Sequence, residues 1–147
     1  MGEQAEAPGI VMVDDNALAA GAMERRFAQS RCLRWLGWTD EVSRAPGLVR
    51  DLRPAVVLLD VDMPMGGGFG LLGRLITECP FAAVVMFSGH DQPSLVERAL
   101  NEGASGYIHK DEPTAVIVDL LIKASAGDCV LSPLVMRTYM GASGTGV

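Results

Sequence analysis

The chain is poor in cysteine, with only Cys32, Cys79 and Cys129 among 147 residues. They are odd in number, widely separated and in no CxxC or Cys/His spacing, so they form neither a disulfide frame nor a zinc site and read as reduced thiols. Long hydrophobic runs are missing as well. Runs such as residues 82–87 and 120–122 fall far short of the ~20 apolar residues a bilayer span requires. Residues 1–9 carry two glutamates, no basic side chain and no apolar segment. That excludes the pattern of a secretory or transit peptide, and the expected location is cytoplasmic, away from membranes. Positive charge is also in deficit. Twelve basic against eighteen acidic side chains give a formal charge of −6, which argues against direct nucleic-acid binding by bulk electrostatics. One stretch departs from this balance: residues 25–53 hold seven arginines against Asp40, Glu41 and Asp51. A solvated face of two helices accounts for it.

What is present fits one globular domain. Hydrophobic residues make up 49% and charged residues 20% of the chain, which excludes disorder and coiled coil. Short apolar runs alternate with segments of helical period, the pattern of a parallel sheet covered by helices on both faces. Strands are expected at residues 10–13, 33–38, 55–59, 82–87 and 106–109. Helices are expected at 16–29 and 46–52, around Leu71, Leu72, Leu75 and Ile76, around Leu95, Val96, Ala99 and Leu100, and from Pro113 to about residue 126. The prediction is five strands and five helices, with residues 1–9 a flexible N-terminus and residues 133–147 a C-terminal tail or the start of a linker.

The polar residues fall in one kind of place. Asp14 and Asp15, Asp60, Ser88 and Lys110 each follow the carboxyl end of a predicted strand. In an open parallel sheet those ends share one edge, where ligands bind at the switch in strand order. Three carboxylates brought together repel one another unless a divalent cation neutralises them, and an all-oxygen set suits Mg2+. Lysine is scarce, since ten of the twelve basic residues are arginine. A lysine at position 110 therefore suggests a need for a compact point charge. A metal, a lysine and a hydroxyl around one carboxylate are what phosphoryl transfer uses.

Four stretches carry a family resemblance: Val11-Met12-Val13-Asp14-Asp15, Val57-Leu58-Leu59-Asp60-Val61-Asp62-Met63-Pro64, Phe87-Ser88-Gly89, and Gly103-Ala104-Ser105-Gly106-Tyr107-Ile108-His109-Lys110. In this order and spacing the chain resembles the receiver domains of two-component response regulators from Ile10 to Ser132. Lys110-Asp111 followed by Pro113, and Leu131-Ser132-Pro133, look most like the NarL type. The resemblance implies a receiver domain over residues 10–132 with a doubly wound, flavodoxin-like sheet of strand order 2-1-3-4-5. It implies Asp60 as phosphoacceptor from a sensor histidine kinase, and Mg2+ held by Asp15 directly, Asp14 through water, Asp60, and the backbone carbonyl of Asp62. Ser88 and Lys110 would contact the phosphoryl oxygens, and Ser88 and Tyr107 would act as the switch pair. NarL-type receivers usually precede a DNA-binding helix-turn-helix, so transcriptional control through an output domain is the expected role. A stand-alone receiver in a phosphorelay is the alternative. One departure is Gly67, where many relatives are acidic.

Two rival readings are weaker. Asp60-Val61-Asp62 also resembles the nucleophile and acid of a haloacid-dehalogenase-type phosphatase, but there the first Asp motif opens the chain and the acidic pair comes last. A flavodoxin-like FMN binder has no use for so many carboxylates around an anionic cofactor. Periodicity adds one expectation about partners. On the fifth helix Ile117, Leu120, Leu121 and Ala124 should face the sheet, while Ala115, Val118 and Ile122 gather nearly opposite. Val118 and Ile122 are the expected interface of a homodimer.

Overall fold

The computed structural model describes residues 6–144. Its strands are β1 (Gly9–Val13), β2 (Arg34–Thr39), β3 (Val56–Asp60), β4 (Ala83–Ser88), β5 (Gly106–His109) and β6 (Val130–Leu131). Its helices are α1 (Ala17–Ser30), α2 (Ala45–Leu52), α3 (Gly67–Glu78), α4 (Pro93–Asn101), α5 (Thr114–Ser125) and α6 (Pro133–Gly144). Single 3-10 turns precede α2 and α3. All strand pairings are parallel, in the order β2-β1-β3-β4-β5-β6.

This corrects the expected five strands and five helices to six of each among the described residues. The doubly wound flavodoxin-like arrangement is unchanged, because β6 is added at the β5 edge. Glycine makes the addition possible: a Cβ at Gly106 would lie 2.4 Å from the Val130 carbonyl oxygen, so only a residue without a side chain lets the two backbones pair. The sixth helix occupies much of the stretch expected as a tail. Ser132 stands before it, Pro133 opens it, and the Ser132 carbonyl accepts the Met136 N–H at 2.8 Å. Residues 1–5 and 145–147, which belong to the expected flexible ends, lie outside the described residues.

The core follows from the period of two along each strand. Val11 and Val13 of β1, Val57 and Leu59 of β3, and Val84 and Met86 of β4 point to one face, where α2, α3, α4 and α6 pack. Ile10 and Met12, Val56 and Leu58, and Val85 and Phe87 point to the other, against α1 and α5. Both faces of β1 and β3 are covered, so these strands read as unbroken apolar runs. Edge strand β2 is only half-buried, which is why its arginine, glycine and two tryptophans blurred its signature.

Candidate functional site

Strand β1 lies between β2 and β3, so the chain leaves it in one direction along the sheet and returns in the other. The crevice at that switch opens above the carboxyl ends of β1 and β3. Asp14 follows β1 and is fixed at the edge by its own N–H, which donates to the Thr39 carbonyl at 3.2 Å. Asp60 is the last residue of β3 and Ser88 the last of β4. Lys110 follows β5, and its N–H donates to the Ser88 carbonyl at 2.9 Å. The ladder thus carries four expected site residues to one edge.

Within the crevice Asp14 and Asp60 are buried and Asp15 is exposed. One carboxylate oxygen from each of the three can be drawn within 4.8 Å of the others. Asp60 Oδ1 accepts the Asp62 N–H at 2.9 Å and lies 3.3 Å from Lys110 Nζ. Asp14 Oδ1 accepts the Asn16 N–H at 2.8 Å, while Oδ2 is buried without a hydrogen bond, 3.6 Å from Lys110 Nζ. Burial holds the Asp60 carboxyl above its ordinary pKa. The Asp62 N–H and Lys110 pull against that, and Asp14 adds to it. The donor set fits a hard divalent cation: it is all oxygen, partly exposed, and contains a buried carboxylate oxygen with no hydrogen-bond donor.

Ser88 is buried, and its hydroxyl donates to Asp62 Oδ2 at 3.3 Å while accepting the His90 N–H at 2.9 Å. Tyr107 is fully buried, and its hydroxyl donates to the His90 carbonyl. Burial pushes the phenol pKa up, so it is a neutral donor. His90 itself extends into solvent, with Nε2 4.0 Å from Asp62 Oδ2. The two expected interface residues lie elsewhere, on α5. Val118 is only 6% exposed and packs with Met23 and Phe27 of α1, while Ile122 is half-buried. Both line a groove with Arg26, Gln29 and Cys32.

Several contributors went unrecognised in the sequence. Trp38 donates its indole N–H to the Asp14 carbonyl at 2.8 Å, tying β2 to the site. Gly68, in a triple-glycine run expected only to make a loop, lets α3 press on the segment after Asp60. A Cβ there would lie 2.5 Å from the Val61 carbonyl oxygen and 2.7 Å from that of Asp60. Its signal was available in the position of the run just past a strand-ending aspartate.

Comparison with known proteins decides the family. A model of the response regulator receiver domain matches residues 10–137. The chain is a response regulator receiver domain. It is 30% identical over 139 residues to the protein named "Probable transcriptional regulatory protein NarL" of Mycobacterium tuberculosis, covering 94% of this chain and 64% of that one. It is 28% identical over 123 residues to the nitrate/nitrite response regulator protein NarL of Escherichia coli, covering 84% and 57%. The chain therefore spans about three-fifths of the length of these relatives. A solved signal receiver domain of a Mycobacterium tuberculosis NarL response regulator superposes with a TM-score of 0.78 at 28% identity, over 84% of this chain and 99% of that one. The receiver is of the NarL type, and its relatives are named transcriptional regulators. The phosphatase and FMN readings are set aside. No helix among the described residues is long and apolar enough to cross a membrane.

Proposed function

We propose that this receiver takes a phosphoryl group from the phosphohistidine of a sensor histidine kinase onto Asp60 and passes the change on to control transcription. The observation that carries this reading is the setting of Asp60, a buried carboxylate 3.3 Å from Lys110 and beside a second buried carboxylate, Asp14, that has an unsatisfied oxygen. One Asp60 oxygen attacks phosphorus in line as the P–N bond to the donor imidazole breaks. The bonding pair returns to the imidazole nitrogen, and the phosphoryl group remains as a mixed anhydride on Asp60. Lys110 offsets charge on the phosphoryl oxygens, and its present ion pair already holds Nζ beside the Asp60 carboxylate.

Mg2+ would be held by Asp15 directly, Asp14 through a water, Asp60 and the Asp62 carbonyl, and when bound it supplies positive charge against the transferred group. Ser88 would turn its hydroxyl from Asp62 to the new phosphoryl oxygens. Tyr107, whose hydroxyl meets the His90 carbonyl and also interacts directly with the Ser88 hydroxyl, is the residue that senses that turn. A second copy of the chain is the proposed partner on the α1/α5 side, where Ile122 sits over Val118.

Treatment with acetyl phosphate and Mg2+ followed by intact-mass spectrometry should add one phosphate to the wild type and none to Asp60→Asn. Undiminished labelling of the variant removes Asp60 from the role.

A further inference from the structure

Helix α6 lies against α4 and β5, and its two halves are held differently. The first half is pinned to the body of the domain. Ser132 Oγ accepts the His109 N–H at 3.0 Å, and the buried Glu112 carboxylate accepts the Leu134 N–H at 2.7 Å, capping the helix. Val135 is fully buried in the cluster that holds Val96, Ala99 and Tyr107. The second half is held by the half-buried Tyr139, which packs at the edge of the same cluster, and by two side-chain hydrogen bonds near the surface. Thr138 Oγ1 donates to Asp91 Oδ2 at 2.9 Å, and the Tyr139 hydroxyl donates to Glu97 Oε1 at 3.2 Å.

Asp91 belongs to the short β4–α4 loop that starts at Ser88. Three hydrogen bonds hold that loop: the Ser88 hydroxyl to Asp62 and the Tyr107 hydroxyl to the His90 carbonyl tie it to neighbouring segments, and the His90 N–H to Ser88 Oγ closes it on itself. A turn of Ser88 toward a phosphoryl group removes the first and displaces the acceptor of the last. Two of the three bonds that hold the loop carrying Asp91 are then lost or displaced. We propose that the second half of α6 is a latch read by this loop, docked on α4 while Ser88 engages Asp62 and released when Ser88 engages a phosphoryl group on Asp60. This rests on the phosphoacceptor reading of Asp60. The hinge is set by Val135 and the Glu112 cap, which do not depend on the loop.

Two-site coupling of this kind is reciprocal: loosening the latch favours the phosphoryl-bound state by the same factor. Hydrogen exchange of the full chain should therefore show amide opening beyond Val135 rising about fivefold on treatment with acetyl phosphate and Mg2+, with the amides of Leu134 and Val135 unchanged. The double variant Thr138→Val/Tyr139→Phe should show that opening without phosphodonor. It should also bind beryllofluoride with Mg2+ about fivefold more tightly than wild type. Arg137→Gln, on the exposed side of the same helix, should change neither value. Intact mass is read on the same samples. Full phosphorylation of Asp60 with no change beyond Val135, or unchanged beryllofluoride affinity in the double variant, overturns the latch and leaves the receiver reading intact. Absence of any added phosphate overturns both.

Discussion

Burying Asp60 lowers the stability of the domain before any phosphate arrives. Its folded-state pKa is raised, chiefly by burial, so the folded protein binds that proton more tightly than the unfolded chain does. The stabilisation that protonation provides is complete below the unfolded carboxylate pKa and is lost as pH rises through the raised folded value. At neutral pH without metal, the ionised group is a net liability that Lys110 offsets only in part. Asp60→Asn in EDTA should therefore melt higher than wild type at pH 7, the gap closing as pH falls through the carboxylate range. Mg2+ should raise the wild type more than the variant. Calorimetry over a pH series checks this, and a lower melting temperature for the variant at pH 7 in EDTA contradicts it. At this scale the sequence was informative, because each of Asp14, Asp60, Ser88 and Lys110 ends an apolar run and so announces both its residue type and its place. Trp38 and Gly68 were not, since their roles lie in what reaches them from another element.

The elements were legible where the chain is buried on both sides. β1 is apolar throughout, β3 and β4 are apolar up to the Asp60 and Ser88 that end them, and their helices show a clear stripe. β6 is two residues long and carries no period of its own; it exists because Gly106 leaves room beside it. α6 was hidden by the glycines near its end, although Ser132-Pro133 followed by Leu134, Val135, Thr138 and Tyr139 has the cap and spacing of a helix start. The β6 explanation makes Gly106→Ala informative. The added methyl collides with the Val130 backbone as well as its Cγ2, and the backbone cannot swing aside, so the expected loss is about 1–3 kcal/mol, with β5–β6 pairing opened. Urea unfolding gives the first and amide exchange at Val130 the second. Wild-type stability in that variant would show that β6 does not depend on the glycine.

For the whole molecule, the packing of α5 bears on which face can meet another copy. Periodicity placed Val118 and Ile122 together, away from the sheet, but angles on a helical wheel do not say how a helix is shared among its neighbours. α5 packs on the sheet beside α1, so Val118 is covered within its own chain and Ile122 is the more exposed of the pair. A dimer through this side should therefore depend on Ile122. Sedimentation of wild type and Ile122→Asp, each with and without acetyl phosphate, should show self-association strengthened by phosphorylation in the first and lost in the second. Equal association of the two proteins moves the interface off this face.

The indole–carbonyl bond between Trp38 and Asp14 gives the domain a built-in optical reporter. Both tryptophans lie on β2, but Trp35 tilts against Phe27 at 6.0 Å while Trp38 touches the backbone of a carboxylate proposed to hold metal. In a Trp35→Phe background, emission from Trp38 should respond to Mg2+ at concentrations far below any change in folding. The midpoint should shift more for Asp15→Asn than for Asp14→Asn if Asp15 is the direct ligand. Equal shifts would assign the two aspartates the same part. Edge strand β2, the least regular element of the sheet, thus turns events in the crevice into a change of light.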